Sequence, residues 1–502
     1  MWKFLIAAVS ILTGRVAYAA PCEDLSKLAL SNTAIVMVQT VAAGQFTTPA
    51  TGAQNSDFRD LPAFCRVAAT VRPSADSDIR IEVWLPISSW NGKFQGVGNG
   101  GYAGAINPGP LANALRRGYA AAQTDTGHAG DGRDAGFAFG HREKLIDFGH
   151  RAVHEMTVKA KAIMKAFYDS DPKLSYWVGC STGGRQALAE AQMYPDDYDG
   201  IVAGAPGNNT AQLALHALAI AQASHTSEAS YIPPSLYSFI HKVVLEVCDG
   251  LDGVKDGVLE NPKTCKFDPQ VLECRSGADR SNCLTPVQVE TARTIYDPSR
   301  NPHIRQPLSL GLAPGSELGW STMAGPEPFF YADQFWKYMV FGDPKWDYKT
   351  LNAERDMPRA ADEARSRGDA ADPNLKPFFS RGGKLLQYHG WSDQNIPPDN
   401  SINYYNRVLE TVGRPTATDG YRLFMVPGMA HCGGGEGPNT FDMLGALEQW
   451  REHGKPPDQI IGSRVTNGRV ERTRPLCPYP QVAGYKGSGS TDEAANFVCK
   501  AP

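Results

Sequence analysis

The chain has 502 residues, 42% of them hydrophobic and 10% aromatic, with 49 Lys plus Arg against 53 Asp plus Glu. That apolar content is enough for a packed interior and excludes wholesale disorder, and the length allows two or three domains or one large core with an insertion. The near-balance of charge, a formal net of −4 with no basic tract, argues against a nucleic-acid partner.

Lys3 precedes the apolar run Phe4 to Leu12, and Ala17-Tyr18-Ala19 supplies a small-residue cleavage site, so residues 1–20 read as a signal peptide. The run is too short to span a bilayer, and no later stretch reaches about 18 apolar residues. A secreted or periplasmic protein with no membrane partner is expected. All ten cysteines follow the leader, and their even number fits five disulfides in an oxidising compartment. No C-x-x-C pair occurs, which argues against a zinc knuckle or a redox motif.

Residues 78–85 alternate apolar and polar, as a half-buried strand does, and residues 93–97 form a second strand that runs into Gly98-Asn99-Gly100-Gly101. A strand is predicted over 119–124 and an amphipathic helix over 151–168. The strand 175–178 then meets Gly179-Cys180-Ser181-Thr182-Gly183, with a helix over 185–193 and a strand over 201–203. This βαβ order predicts a mostly parallel sheet. From Pro206 to about Pro377 the pattern is irregular and carries four of the cysteines; the β/α rhythm resumes with a strand over 384–389, a helix over 400–412 and a strand over 421–426. The fold class is therefore α/β. One core, residues 21–206 and 381–502, is interrupted by an inserted domain over 207–380.

Gly179-Cys180-Ser181-Thr182-Gly183 matches G-x-S-x-G, a weak signal in a chain that is one-tenth glycine. The strand before it and the helix after it make the sharp turn that lifts a serine oxygen above a sheet. A serine at its ordinary pKa needs a histidine base oriented by a carboxylate. His431 follows a predicted strand, Asp393 follows another, and the order Ser181, Asp393, His431 is that of α/β-hydrolases. Asp399 and Asp419 compete with Asp393 for the acid; His453 also lies downstream, in a charged helical stretch. Cys180 precedes the serine and Cys432 follows the histidine, so a bridge between them would hold nucleophile and base together.

These features, with Thr124-Asp125-Thr126-Gly127-His128 and Gly428-Met429-Ala430-His431-Cys432, resemble the tannase and feruloyl esterase family, which also contains the hydrolase of mono(2-hydroxyethyl) terephthalate. The resemblance covers essentially the whole chain after the leader. It implies an α/β-hydrolase core with a lid, acting on esters of aromatic acids, with Ser181 as nucleophile, His431 as base, Asp393 as orienting acid and a Cys180–Cys432 bridge. The remaining cysteines are then expected as 22–65, 248–265, 274–283 and 477–499. For the oxyanion, the N–H of Thr182 is the expected first donor and that of Gly100 or Gly101 the second.

Cys248-Asp249-Gly250-Leu251-Asp252-Gly253-Val254-Lys255-Asp256-Gly257-Val258 can turn several oxygens onto one hard cation, although its spacing is not that of an EF-hand. It resembles the family's calcium loop, which implies side chains of Asp249, Asp252 and Asp256 and carbonyls of Val254 and Val258 as ligands of a structural Ca2+. Nine aromatics crowd residues 329–348; some could line a pocket for an aromatic acyl group, while the rest form the lid's core. Asp125, His128 and Asp131 lack a fourth ligand nearby and are not read as a metal site.

The expected activity is a serine carboxylic-ester hydrolase on feruloyl or other hydroxycinnamoyl esters, with plant-polysaccharide or polyphenol conjugates as substrates. A tannase cleaving galloyl esters and a terephthalate monoester hydrolase would use the same machinery. A silent, calcium-stabilised binding protein should lack a triad member, and none is lacking; a zinc hydrolase should carry H-E-x-x-H, which is absent.

Overall fold

A computed structural model describes residues 20–48, 58–275, 277, 280–298 and 310–502, so the expected leader lies, through residue 19, outside the described residues. Nine strands form the central sheet: β1 (Thr33–Val41), β2 (Phe64–Val71), β3 (Ile79–Pro86), β4 (Lys93–Val97), β5 (Ala120–Thr124), β6 (Leu174–Cys180), β7 (Gly200–Gly204), β8 (Lys384–Gly390) and β9 (Tyr421–Val426). Their spatial order is β1-β2-β3-β5-β4-β6-β7-β8-β9. The pairings among β1, β2, β3 and β5 are antiparallel, and from β5 across to β9 each is parallel. The parallel half follows the predicted β/α alternation. Strands β1 and β2 were not predicted; β1 is an edge strand whose Val36 is exposed, so it shows little of the alternation that marks a buried face.

Alternate residues of the strands feed two cores, one on each face of the sheet. Val83, Phe94, Trp177, Ile201 and Leu385 pack with the helix Ala152–Tyr168, while Trp84, Val97, Tyr176, Val202 and Leu386 pack with the helix Met443–His453. Strands covered on both faces are buried along their length, as β5 and β7 are at every position, with Gln123 and Thr124 as the polar residues of β5.

Between β7 and β8 the chain makes helices, among them Thr210–Ser224, Tyr237–Cys248, Pro286–Tyr296 and Ala353–Ser366. Their apolar cluster holds Leu218, Ile240, Trp320, Phe335 and Trp336 and also takes in Tyr102 and Phe148, which lie outside the insertion. The insertion therefore rests on loops of the sheet segment rather than standing apart. Most of the 329–348 aromatics belong to this cluster, as expected.

Five disulfides use all ten cysteines in the expected pairing: Cys22–Cys65, Cys180–Cys432, Cys248–Cys265, Cys274–Cys283 and Cys477–Cys499. The C-terminal segment adds two antiparallel ribbons that were not predicted, β10 (Ile460–Thr466) with β11 (Arg469–Leu476) and β12 (Val482–Tyr485) with β13 (Phe497–Lys500). Among the described residues, no helix is long and apolar enough to cross a membrane.

Candidate active site

Strand β6 ends at Cys180, and Ser181 turns the chain into the helix Thr182–Met193 with φ 62° and ψ −120°. A non-glycine residue in that region costs on the order of 1–3 kcal/mol, so the surroundings must enforce it. The Ser181 N–H donates to Gly204 O on β7 at 3.0 Å, and its carbonyl accepts the N–H of Arg185 and of Gly207. The turn folds back so tightly that a Cβ on Gly179 would lie 2.5 Å from Gly183 O. Gly179 is thus required by close approach, a Cβ on Gly183 would lie 3.0 Å from Gly98 Cα, and the result is a strand-turn-helix elbow with its serine at the C-terminal edge of the sheet, where open α/β sheets bind ligands.

The expected acid and base follow the next two strands. Asp393 follows β8 and is fully buried; its Oδ1 accepts the N–H of Asn395 at 2.8 Å and of Ile396 at 2.9 Å. His431 follows β9, and its Nδ1 lies 2.7 Å from Asp393 Oδ2. The two loops are tied together by Ser392 N–H donating to Met429 O at 3.0 Å. Burial alone would push the Asp393 carboxyl up, but the His431 and His389 rings against it hold it well below the ordinary carboxylate range. Burial pulls His431 down, yet the charge and hydrogen bond of Asp393 hold it above its usual value. Of the competing aspartates, Asp399 pairs with Lys263 and Asp419 with Lys384. His453 ends a helix far along the chain and is exposed.

The Cys180–Cys432 bridge brings the flanks of Ser181 and His431 to a Cα–Cα distance of 5.9 Å across a sequence separation of 252 residues. The Gly98–Gly101 turn after β4 is pinned to the elbow from several sides. Asn99 O accepts Gly183 N–H at 2.8 Å, Gln186 makes paired bonds to Asn99 N and Oδ1, and Thr182 Oγ1 donates to Gly101 O at 2.6 Å. Gly100 accommodates a Cβ freely, whereas a Cβ on Gly101, at φ 53°, would sit 2.3 Å from Gly132 O. Among the described residues neither the Gly100 nor the Gly101 N–H donates to a protein acceptor. Both stand beside Thr182 at the same cavity.

That cavity, of about 340 Å³, is lined by Ser181, His431, the disulfide and the glycine turn on one side and by residues of the insertion on the other. The insertion contributes Leu213, Ala214 and the aromatic run Phe329, Phe330 and Tyr331; Asn395 and Ile396 close a further wall. Tyr331 is held by stacking on Tyr102 at 4.3 Å, and the Tyr102 hydroxyl donates to Tyr331 O at 2.6 Å. Sequence reasoning missed Leu213, Ala214, Asn395 and Ile396 because nothing in a run of ordinary residues marks a pocket wall. It also passed over His389, four positions before the acid, whose Nε2 lies 3.1 Å from Asp393 Oδ2.

The acidic loop of the insertion packs against β11. Asp249 accepts the N–H groups of Asp256 and Gly257, Asp252 those of Val254 and Glu260, and Asp256 pairs with Arg474. Among the described residues no three His, Cys, Asp or Glu side chains gather as a metal cage. The donor chemistry nonetheless suits a hard cation. Burial, with the like charges of Asp256 and Asp249 adding to it, raises the Asp252 carboxyl, and a cation would relieve both. Asp125 and His128 serve the fold: Asp125 accepts two backbone N–H groups, and His128 stacks on Phe137 at 3.5 Å.

Comparison with known proteins gives the family. The family model for tannase and feruloyl esterase matches residues 65–500. An uncharacterized esterase of Xanthomonas campestris is 36% identical, with 98% of this chain and 93% of that one covered. A probable feruloyl esterase B-1 of Aspergillus flavus is 37% identical over 86% of this chain and 85% of its own length. The crystal structure of feruloyl esterase B from Aspergillus oryzae superposes with a TM-score of 0.89 at 31% identity, covering 95% of this chain and 99% of that one. An α/β-hydrolase sheet, a serine elbow and relatives of this kind place the chain in the tannase and feruloyl esterase family of carboxylic ester hydrolases.

Proposed function

We propose that the protein cleaves its esters through a covalent acyl-serine. Ser181 Oγ attacks the ester carbonyl carbon while His431 Nε2 takes its proton, and Asp393 holds the imidazole in the Nδ1–H tautomer and stabilises the imidazolium. The oxyanion is received by the N–H of Thr182 together with that of Gly100 or Gly101. Collapse expels the alcohol, which leaves with the proton from His431. Water, deprotonated by the same nitrogen, then attacks the acyl-serine; the acyl–Oγ bond breaks, His431 returns the proton to Ser181 Oγ, and the acid is released. The observation that carries this reading is the buried 2.7 Å contact between His431 Nδ1 and Asp393 Oδ2, with His431 and Ser181 lining one cavity.

The acyl group is best matched by a hydroxycinnamate such as ferulate. Aromatic and aliphatic side chains make most of the wall, and Asn395 is the polar side chain there beyond the reacting groups and the Tyr331 and Thr182 hydroxyls. A galloyl ring buries three hydroxyls, each costly without a partner. A terephthalate monoester buries a carboxylate, and among the described residues no lysine or arginine lines this cavity. Hydrolysis of methyl ferulate, methyl gallate and a terephthalate monoester should rank in kcat/KM with ferulate first. Ser181→Ala should lower all three by about 10,000-fold or more. A wild-type preference for gallate would overturn the acyl assignment, and a Ser181→Ala enzyme retaining substantial turnover would overturn the nucleophile.

Two further features belong to this reading. The segment 207–380 acts as a lid that supplies the acyl-binding wall, and the acidic loop of Asp249, Asp252, Asp256 and the carbonyls of Val254 and Val258 holds a structural Ca2+ that offsets the like charges acting on Asp252. The leader and the five disulfides support export to a secreted or periplasmic location.

A further inference from the structure

Asp393 Oδ2 is approached by two histidines. On one side stands His431, and on the other His389, fully buried, with Nε2 3.1 Å from Asp393 Oδ2 and 3.0 Å from Ile396 O. Both of these neighbours are acceptors, so Nε2 must carry a hydrogen. The other ring nitrogen, Nδ1, lies 2.6 Å from Ser401 Oγ. That oxygen already accepts Gln387 Nε2–H at 2.6 Å, and Gln387 Oε1 in turn accepts the Tyr421 hydroxyl. Ser401 is thereby left to donate its own O–H to Nδ1, which completes the hydrogen bonding of that ring nitrogen. Gln387, His389, Ser401 and Tyr421 are all fully buried, and Gln387 and His389 fall two apart on β8, on one face, over the helix Asp399–Val412.

Resting on the acyl-serine reading, we infer that His389 is a positioning residue: its Nε2–H, locked by Ser401, fixes Asp393 Oδ2 and moderates the strength with which that oxygen holds His431. A carboxylate oxygen with a single partner can swing about its Cβ–Cγ bond; one flanked by two ring nitrogens at 2.7 and 3.1 Å, with Oδ1 held by two backbone N–H groups, is held harder. The same donor withdraws charge from the oxygen that binds His431. Its loss leaves a stronger acceptor and a more basic His431, so a higher pH is needed to free the base. His431 and His389 are the titratable groups that face Asp393.

The test compares His389→Leu, His389→Gln and Ser401→Ala with wild type and Ser181→Ala, using methyl ferulate across pH. His389→Leu should lower kcat by about 10- to 100-fold with KM within about twofold, and should move the acid limb of kcat/KM to higher pH. The glutamine amide can place an N–H near the Nε2 position, so His389→Gln should recover most of the lost kcat and return the limb. Ser401→Ala, which removes one hydroxyl and should fold, should lower kcat about fivefold at unchanged KM. Equal losses in His389→Leu and His389→Gln with an unmoved limb, or a wild-type kcat in Ser401→Ala, would overturn the inference while an inactive Ser181→Ala leaves the acyl-serine reading standing. Activity in Ser181→Ala would overturn both.

Discussion

Replacing His241 with glutamine should cost stability in acid and neutral solution and almost nothing in alkali. His241 sits on the helix Tyr237–Cys248 of the insertion, its side chain 8% exposed, with Nδ1 2.7 Å from Glu317 Oε2 and Nε2 2.6 Å from Glu436 Oε2. Glu436 lies five residues after His431, so one imidazolium fastens the insertion to the loop that carries His431. Burial opposes its charge, but hydrogen bonds and attraction from Glu317 and Glu436 outweigh this and raise it from 6.5 to about 9. The Tyr296 hydroxyl, itself pushed far up by burial, also faces Glu317, while Arg464 and Arg472 face Glu436; none of these changes charge in the window concerned. At about 1.4 kcal/mol for each tenfold change in proton affinity, the rise is worth about 3 kcal/mol, or about 2 once screening at the half-exposed Glu436 is allowed for. A raised histidine stabilises fully below its unfolded value of 6.5, and that stabilisation is lost as pH climbs through 9. Guanidinium unfolding of wild type and His241→Gln should show a gap of about 2 kcal/mol near pH 6 that closes near pH 10. A gap of equal size at both pH values would refute the reasoning.

Reducing the Cys180–Cys432 link, as in Cys180→Ser with Cys432→Ser, frees a span of 252 residues and should cost up to about 5 kcal/mol, less where the other bridges already restrain the unfolded chain. The same variant should lose kcat more than KM, because the link ties the serine turn to the histidine loop; an unchanged kcat would count against that role. Chelator should lower the melting temperature of the wild type and leave that of Asp252→Asn nearly unmoved. Identical melting of the wild type with and without chelator would remove the calcium from the account. Phe330→Ala should raise KM for methyl ferulate about fivefold with little change in kcat, the loss of one aromatic contact of about 1 kcal/mol, and an unaltered KM would take the acyl group out of that wall.

The parallel strands and the elbow were legible in the sequence because each rests on a local rule: strands covered on both faces leave apolar runs, and a strained turn leaves glycines. The even cysteine count pointed to five bridges, but their pairing beyond Cys180–Cys432 followed the family resemblance. The two cysteines flanking Ser181 and His431 were the strongest long-range signal, since covalent geometry makes neighbours of residues far apart in sequence. Much of what stayed hidden depends on tertiary contact. Strand β1 is too exposed to alternate, and the ribbon of β10 and β11 was passed over although Asn467-Gly468, both at positive φ, is a hairpin signal. The pocket wall of Leu213, Ala214 and Ile396 reads as ordinary core until the insertion folds over the elbow. His389 and His241 look like incidental histidines, and only the carboxylates that meet them in space give them meaning.

The acyl-serine itself can be caught by quenching the reaction with methyl ferulate in acid within milliseconds, then digesting and weighing the peptides. The peptide carrying Ser181 should gain the mass of one feruloyl group, lost on longer incubation and absent in Ser181→Ala. Turnover with no acylated peptide, or acylation elsewhere in the chain, would contradict the assignment of Ser181 as the nucleophile.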